Sequence, residues 1–147
     1  MSTFKIYGTT FHVDRKYQPI RPLGRGAYGV VCSAKNKANK TKVAIKRISP
    51  MSANEVVAKQ ALREIRLIRH LGRHSNVVSL VDLSVRPNDD ELYVIMELMD
   101  TDLHRIIQSQ QTLTDAHHKH FMYQLVRGVR FAHRHGVIHR DLKPSNL

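Results

Sequence analysis

Residues 24–31 read GRGAYGVV, and the element that a glycine cluster of this kind leads into decides the fold. Gly24, Gly26 and Gly29 let backbone amides come close to a phosphate and adopt conformations barred to other residues. Three phosphate-binding designs share such spacing. A dinucleotide-binding turn needs a helix after the glycines and an acid about 20 residues on. Here GVVCSA is β-branched and reads as a strand, and the residue near that offset is Lys46. A P-loop needs Lys and Ser/Thr directly after its last glycine, and Val30 stands there instead. The third design is a glycine-rich hairpin with a valine two beyond the last glycine, and Val31 fits it. On these residues alone an ordinary glycine hairpin remains an equal reading.

On the C-terminal side of this cluster, KVAIKRI (42–48) reads as a second strand joined to the first by the polar turn KNKANKT. From residue 54 the period changes. Val57, Ala58, Ala61, Leu62, Ile65, Ile68 and Leu71 recur at threes and fours, which predicts a helix over 54–71, with Asn54 as N-cap and Gly72 as stop. VVSLVDLSV and ELYVIMEL read as strands split by RPNDD. A short helix in DTDLHRIIQSQ comes next, then a longer one from Thr114 or Asp115 to Gly136, with Phe121, Leu125, Val129 and Ala132 on one stripe. Locally paired strands and segregated helices make an α+β chain. The expected plan is a small lobe of five antiparallel strands and one helix, followed by the start of a helical lobe. The boundaries drawn are 1–16 as an N-terminal extension, 17–99 as the small lobe and its exit, and 100–147 as the helical part.

Composition narrows the class. The chain has 147 residues, 41% of them hydrophobic, enough for a buried core. Its single cysteine, Cys32, excludes an intrachain disulfide and fits a reducing compartment. MSTFKIYGTTFHVDRK has no long apolar run, and no stretch approaches a membrane span. A cytoplasmic or nuclear protein with no membrane partner is expected. Net charge is +12, spread over KNKANKTK, ALREIRLIRHLGRH and residues 119–143. This is read as a solvated basic surface without a nucleic-acid partner. His117, His118, His120, His133 and His135 match no common zinc spacing and read as surface helix residues.

Two stretches carry chemistry. Lys46 ends the alternating VAIK, and a lysine on a buried strand face is costly unless paired. The helix offers Glu64 in REI as partner, although most Lys–Glu couples are surface pairs worth little. HRDLKPSN (139–146) is more specific. Asp141 offers a carboxylate to orient a hydroxyl proton, Lys143 a charge to neutralise a transferring phosphoryl, and Asn146 an amide oxygen suited to Mg2+.

Together GRGAYGVV, VAIK, REI and HRDLKPSN resemble the protein kinase signature set, over nearly all of residues 17–147. Lys143 makes the likeness one to Ser/Thr kinases. ALREIRLIRHL, ELMDTDLHRII and FMYQLVRGVRFAH resemble the mitogen-activated protein kinase (MAP kinase) subfamily. The resemblance implies ATP and Mg2+ as cofactors, protein substrates bearing Ser or Thr, and an upstream MAP kinase kinase. It implies that Gly24, Gly26 and Gly29 cover the ATP phosphates, that Leu23, Arg25, Ala27, Tyr28 and Val30 also bind the cofactor, and that Val31 and Ala44 lie against adenine. Lys46 would touch the α- and β-phosphates and pair with Glu64. Met96 would be the gatekeeper, Glu97 and Met99 would offer backbone groups to adenine, and Asp102 would face the ribose. Asp141 would be the catalytic base beside Lys143, and Asn146 a Mg2+ ligand. His139 would bond backbone. For Cys32 a reactive thiol near ATP and a buried hydrophobe are both open; for Tyr28, a phosphorylation site and a phosphate shield. The family's Asp-Phe-Gly metal ligand and activation loop have no counterpart in these residues. The 147 residues alone are therefore expected to be inactive, serving at most as a binding module.

Overall fold

The computed structural model describes residues 1–26, 29–52 and 55–147. The expected N-cap Asn54 lies outside the described residues. Two compact units emerge: Met1–Arg69 with Ser79–Leu98, and His70–Val78 with Met99–Leu147.

The first unit opens with a hairpin, β1 (Ser2–Ile6) and β2 (Thr9–Val13), turning at Tyr7 and Gly8 with φ of 49° and 77°. Positive φ at both turn residues matches the right-handed twist of paired strands. The five-stranded antiparallel sheet comes next. It comprises β3 (Tyr17–Gly26), β4 (Gly29–Asn36), β5 (Lys42–Ile48), β6 (Leu80–Arg86) and β7 (Glu91–Glu97) in the order β3-β4-β5-β7-β6. β6 starts at Leu80, later than VVSLVDLSV suggested, because His74 and Val77 close a separate small bridge first. The helix α1 spans Glu55–Leu71, its last two residues counting with the second unit.

Alternation gives the sheet two apolar faces. On one, Cys32, Ala34, Val43, Ile45, Tyr93 and Ile95 pack with Phe11 and Val13 of the hairpin. Phe11 is fully buried, stacks on Phe4 at 5.3 Å and lies 5.9 Å from the Tyr93 ring. Burying a side chain of this size contributes roughly 1.5–3 kcal/mol. The polar counterpart is a network in which the His12 amide donates to the Tyr93 hydroxyl at 2.8 Å. That hydroxyl donates to Glu91 at 2.7 Å, and Arg47 pairs with Glu91 at 2.6 Å. The extension expected over 1–16 is thus a folded part of the sheet's core. On the other face Ile48, Leu92 and Val94 meet Ala61 and Ile65 of α1. Leu62, expected on the buried stripe, is 47% exposed. It is one residue past Ala61, about 100° round the helix and off the core-facing side.

At the edge of β3, Tyr17 and Lys16 both bond Asp82 of β6, each at 2.8 Å. The hydrogen bonds from Lys16 and Tyr17 outweigh burial and hold the Asp82 carboxyl below its usual range. Burial pushes the Cys32 thiol up to about 12, and burial first also raises Tyr17 and Tyr93 to about 12.

In the second unit, α2 (Leu103–Gln108) and α3 (Asp115–Arg134) precede a terminal loop with a 3-10 turn at Pro144–Asn146. Thr114 caps α3, its amide donating to His117 Nδ1 at 3.0 Å, so one of the clustered histidines serves the helix end. Gly136, at φ 70°, closes the helix. Gly128 is the buried point of α3: a Cβ there would lie 2.6 Å from the Asn76 carbonyl. His74 stacks on Phe131 at 4.3 Å beside it. Phe121, Leu125 and Val129 are half-buried, while Met122, Tyr123 and Val126 are exposed. An open groove of about 610 Å³ runs between α3 and Leu142. No helix among the described residues is long and apolar enough to cross a membrane.

Two outcomes are expected. Gly29, at φ 147°, would place a Cβ 2.1 Å from the Arg47 carbonyl, whereas a Cβ on Gly24 meets nothing within 4 Å. Gly29→Ala should therefore cost about 3 kcal/mol and Gly24→Ala less than about 0.5 in denaturant melts. A thiol raised from 9.0 to about 12 contributes stability that is full below pH 9 and is lost as pH climbs toward 12. Stability should fall from pH 9 upward by up to about 1.4 kcal/mol per pH unit for this group. Cys32→Ala should flatten the slope most between about pH 8.5 and 9.5, below the unfolded tyrosine value of 10.0, where the tyrosines contribute least.

Candidate active site

In the first unit the site is one face of the sheet. Register places Val31 opposite Lys46, and Ala44 opposite Met96. All four sit on the face shared with Val94 and Ile48 rather than the hairpin-covered face. Lys46 Nζ lies 2.6 Å from Glu64 Oε2, with the two side chains 22% and 31% exposed. The local cause is parity on both elements. Val43 and Ile45 commit alternate β5 positions to the hairpin core, so Lys46 projects the other way. Ala61 and Ile65 seat α1 on that second face, so Glu64, beside Ile65, is delivered to the strand. A half-buried ion pair gains moderately from its attraction, but removing one partner leaves the other charge poorly solvated.

The glycines lie at the paired ends of β3 and β4. Gly24 pairs with Val31, Arg25 with Val30 and Gly26 with Gly29, while the register skips Leu23. Ala27 and Tyr28 lie outside the described residues. Arg25 and Gly26 are exposed, and Gly24 and Leu23 half-buried. Val30 is buried in the core under the β1–β2 hairpin, so its side chain faces away from Lys46. Cys32 shares that far side and is fully buried. This geometry makes it a core hydrophobe and removes it from any nucleotide-facing surface. Glu97 ends β7 exposed.

In the second unit, Met99 is 48% exposed. Asp102 is the N-cap of α2. Its Oδ1 accepts the Arg105 amide at 2.9 Å, and Oδ2 lies 3.4 Å from Arg105 Nε. This capping role was missed from sequence, although an Asp directly before an apolar helix start signals it.

The terminal loop organises its own carboxylate. Asp141 Oδ2 receives Lys143 Nζ at 2.9 Å and Asn146 Nδ2 at 3.0 Å, and Asn146 Nδ2 also donates to the Asp141 carbonyl at 2.9 Å. The bond from Lys143, then that from Asn146, holds the Asp141 carboxyl below its usual range. His139 Nδ1 accepts the Asp141 amide at 3.2 Å, the backbone bond expected of it. Arg140 sits at φ 64°, bending the chain between them. Asn146 makes both of these bonds through its amide nitrogen.

The protein kinase domain model matches residues 17–147. The chain is 51% identical over 149 residues to mitogen-activated protein kinase 6 of Oryza sativa subsp. japonica. It is 52% identical over 149 residues to mitogen-activated protein kinase homolog MMK2 of Medicago sativa, and 50% over 148 to mitogen-activated protein kinase 4 of Arabidopsis thaliana. Each match covers 98% of this chain but only 39% or 40% of the relative's own length. The chain belongs to the protein kinase family, and the relatives it matches at about half identity are mitogen-activated protein kinases.

Proposed function

We propose that the protein carrying these residues transfers the terminal phosphoryl of ATP to Ser or Thr hydroxyls of protein substrates, in the cytoplasm or nucleus, under an upstream MAP kinase kinase. The observation that carries the reading is the Lys46–Glu64 pair at 2.6 Å on a sheet face that also holds Val31, Ala44 and Met96. A lysine steadied by a carboxylate keeps further N–H donors to offer phosphate oxygens. Val31, Ala44 and Met96 would give adenine an apolar wall, and Glu97 and Met99 would offer it backbone groups.

Each remaining residue has a role in this reading. Gly24, Gly26 and Gly29 would bring backbone amides to the phosphates. Asp141 would orient the incoming hydroxyl and take its proton, being ionised well below neutral pH. Lys143, already 2.9 Å from that carboxylate, would shift to the transferring phosphoryl as charge develops there. Asn146 would hold Mg2+ through its amide oxygen. It is one neutral donor, so phosphate oxygens and further ligands would complete the shell. When bound, the ion supplies positive charge against the phosphate oxygens. Asp102 would face the ribose with whatever lone pairs its capping bond leaves.

Transfer from radiolabelled ATP to a protein substrate tests this. The 147-residue chain alone should transfer no label. A polypeptide extended to the length of its relatives should transfer it. Asp141→Asn should lower kcat in the extended protein by about 10²–10⁴-fold. Lys46→Met and Glu64→Gln should both lower kcat/KM, since each breaks the same pair. Unchanged kcat in Asp141→Asn would remove it as base, and transfer by the short chain that is lost on Asp141→Asn would overturn the expected inactivity.

A further inference from the structure

One exposed flank of α1, beside its buried side, has a composition that neither the core nor the proposed chemistry uses. Lys59, Leu62, Arg66 and Arg69 recur at spacings of three, four and three, one stripe about 15 Å long. All four are exposed, and Leu62 is 47% exposed among the cations. Ala61 and Ile65 occupy the buried side. Lys59 is bridged to Glu55 at 2.6 Å. Among the described residues, Arg66 and Arg69 have no carboxylate within ion-pair distance, and Glu64 is committed to Lys46. Cations near a helix C-terminus complement its dipole, which accounts for a basic end. That does not account for an exposed leucine set between them, nor for arginine, whose planar fork suits carboxylates, at both free positions.

We infer that this stripe is a docking surface for an acidic protein segment that carries an apolar anchor. Charge complementarity selects the occupant: the chain carries +12, so a second copy would be repelled, while carboxylates spaced to meet Arg66 and Arg69 would follow, on the C-terminal side of the stripe, an apolar side chain seated on Leu62. Salt weakens the charged contacts, and the leucine contact gives the surface a preference for peptide over other polyanions.

Fluorescence anisotropy with a labelled (Glu-Leu-Glu-Glu)3 peptide tests the inference on the purified chain. Saturable binding is expected at about 0.1 M salt. It should weaken at least about tenfold in Arg66→Glu/Arg69→Glu, and about threefold when serine replaces the peptide's leucines. If the charge-reversed protein fails to fold by circular dichroism, Arg66→Gln/Arg69→Gln and Leu62→Ser are measured instead and should weaken binding by at least about threefold. Absence of saturable binding would overturn the proposal. So would single-stranded DNA of equal charge binding as tightly with the same dependence on Arg66 and Arg69, or an equal loss from Lys35→Glu/Lys37→Glu at the end of β4 and in the turn after it.

Discussion

An ammonium on a sheet face that is otherwise apolar has to be paired or given water, and Lys46 stands in that position. The structure gives it Glu64 at 2.6 Å and leaves about a fifth of the side chain exposed. That solution requires a helix seated at a fixed height on the sheet. Ala61 and Ile65 set the height by packing on Ile48, Leu92 and Val94, and Glu64 falls between them in sequence. The ion pair is thus a readout of helix position. Anything that lifts α1 from the sheet also unpairs Lys46, which links packing in the first unit directly to the chemistry proposed for it.

The opposite face explains why the sheet can carry a charge at all. Its β5 positions Val43 and Ile45 are closed over by the β1–β2 hairpin, with Phe11 and Cys32 fully buried. The network from His12 through Tyr93 and Glu91 to Arg47 satisfies the polar groups that this burial encloses. Arg47 also supplies the carbonyl that leaves no room for a Cβ at Gly29. One strand, β5, therefore fixes the hairpin on one side, the lysine on the other and the return of the glycine loop at its edge.

Much of this was legible because it is local. Strand alternation in VAIK and GVVCSA, the helical period after residue 54 and the glycine stop at Gly136 all act within a few residues. The pairing of Lys46 with Glu64 was only a candidate on the residues themselves, since most Lys–Glu couples are surface pairs, and it was the resemblance that implied it. The N-terminal hairpin was not read, though Tyr7-Gly8 flanked by Phe4, Ile6, Phe11 and Val13 carries the signal. Its stability comes from contacts with Tyr93, some 80 residues away, which no local pattern announces. Leu62 was assigned to the core because a helical stripe has no sharp edge in sequence. Only the seating of Ala61 and Ile65 shows which flank is covered. Val30 shows the same limit in a strand: alternation separates it from Val31, but the sequence does not say which of the two faces the lysine. Asp102 was read for a ribose, while in the fold its first partner is the Arg105 amide.

Whether Lys46 meets nucleotide phosphate can be read by direct labelling. An ATP analogue bearing a reactive acyl group on its terminal phosphate transfers that acyl group to lysines lying against the phosphates. Mass spectrometry of a polypeptide of the relatives' length should find Lys46 acylated and protected by excess ATP with Mg2+, with Glu64→Gln lowering the yield. Acylation of surface lysines with Lys46 unmodified, or labelling of Lys46 that excess ATP does not suppress, would refute the assignment.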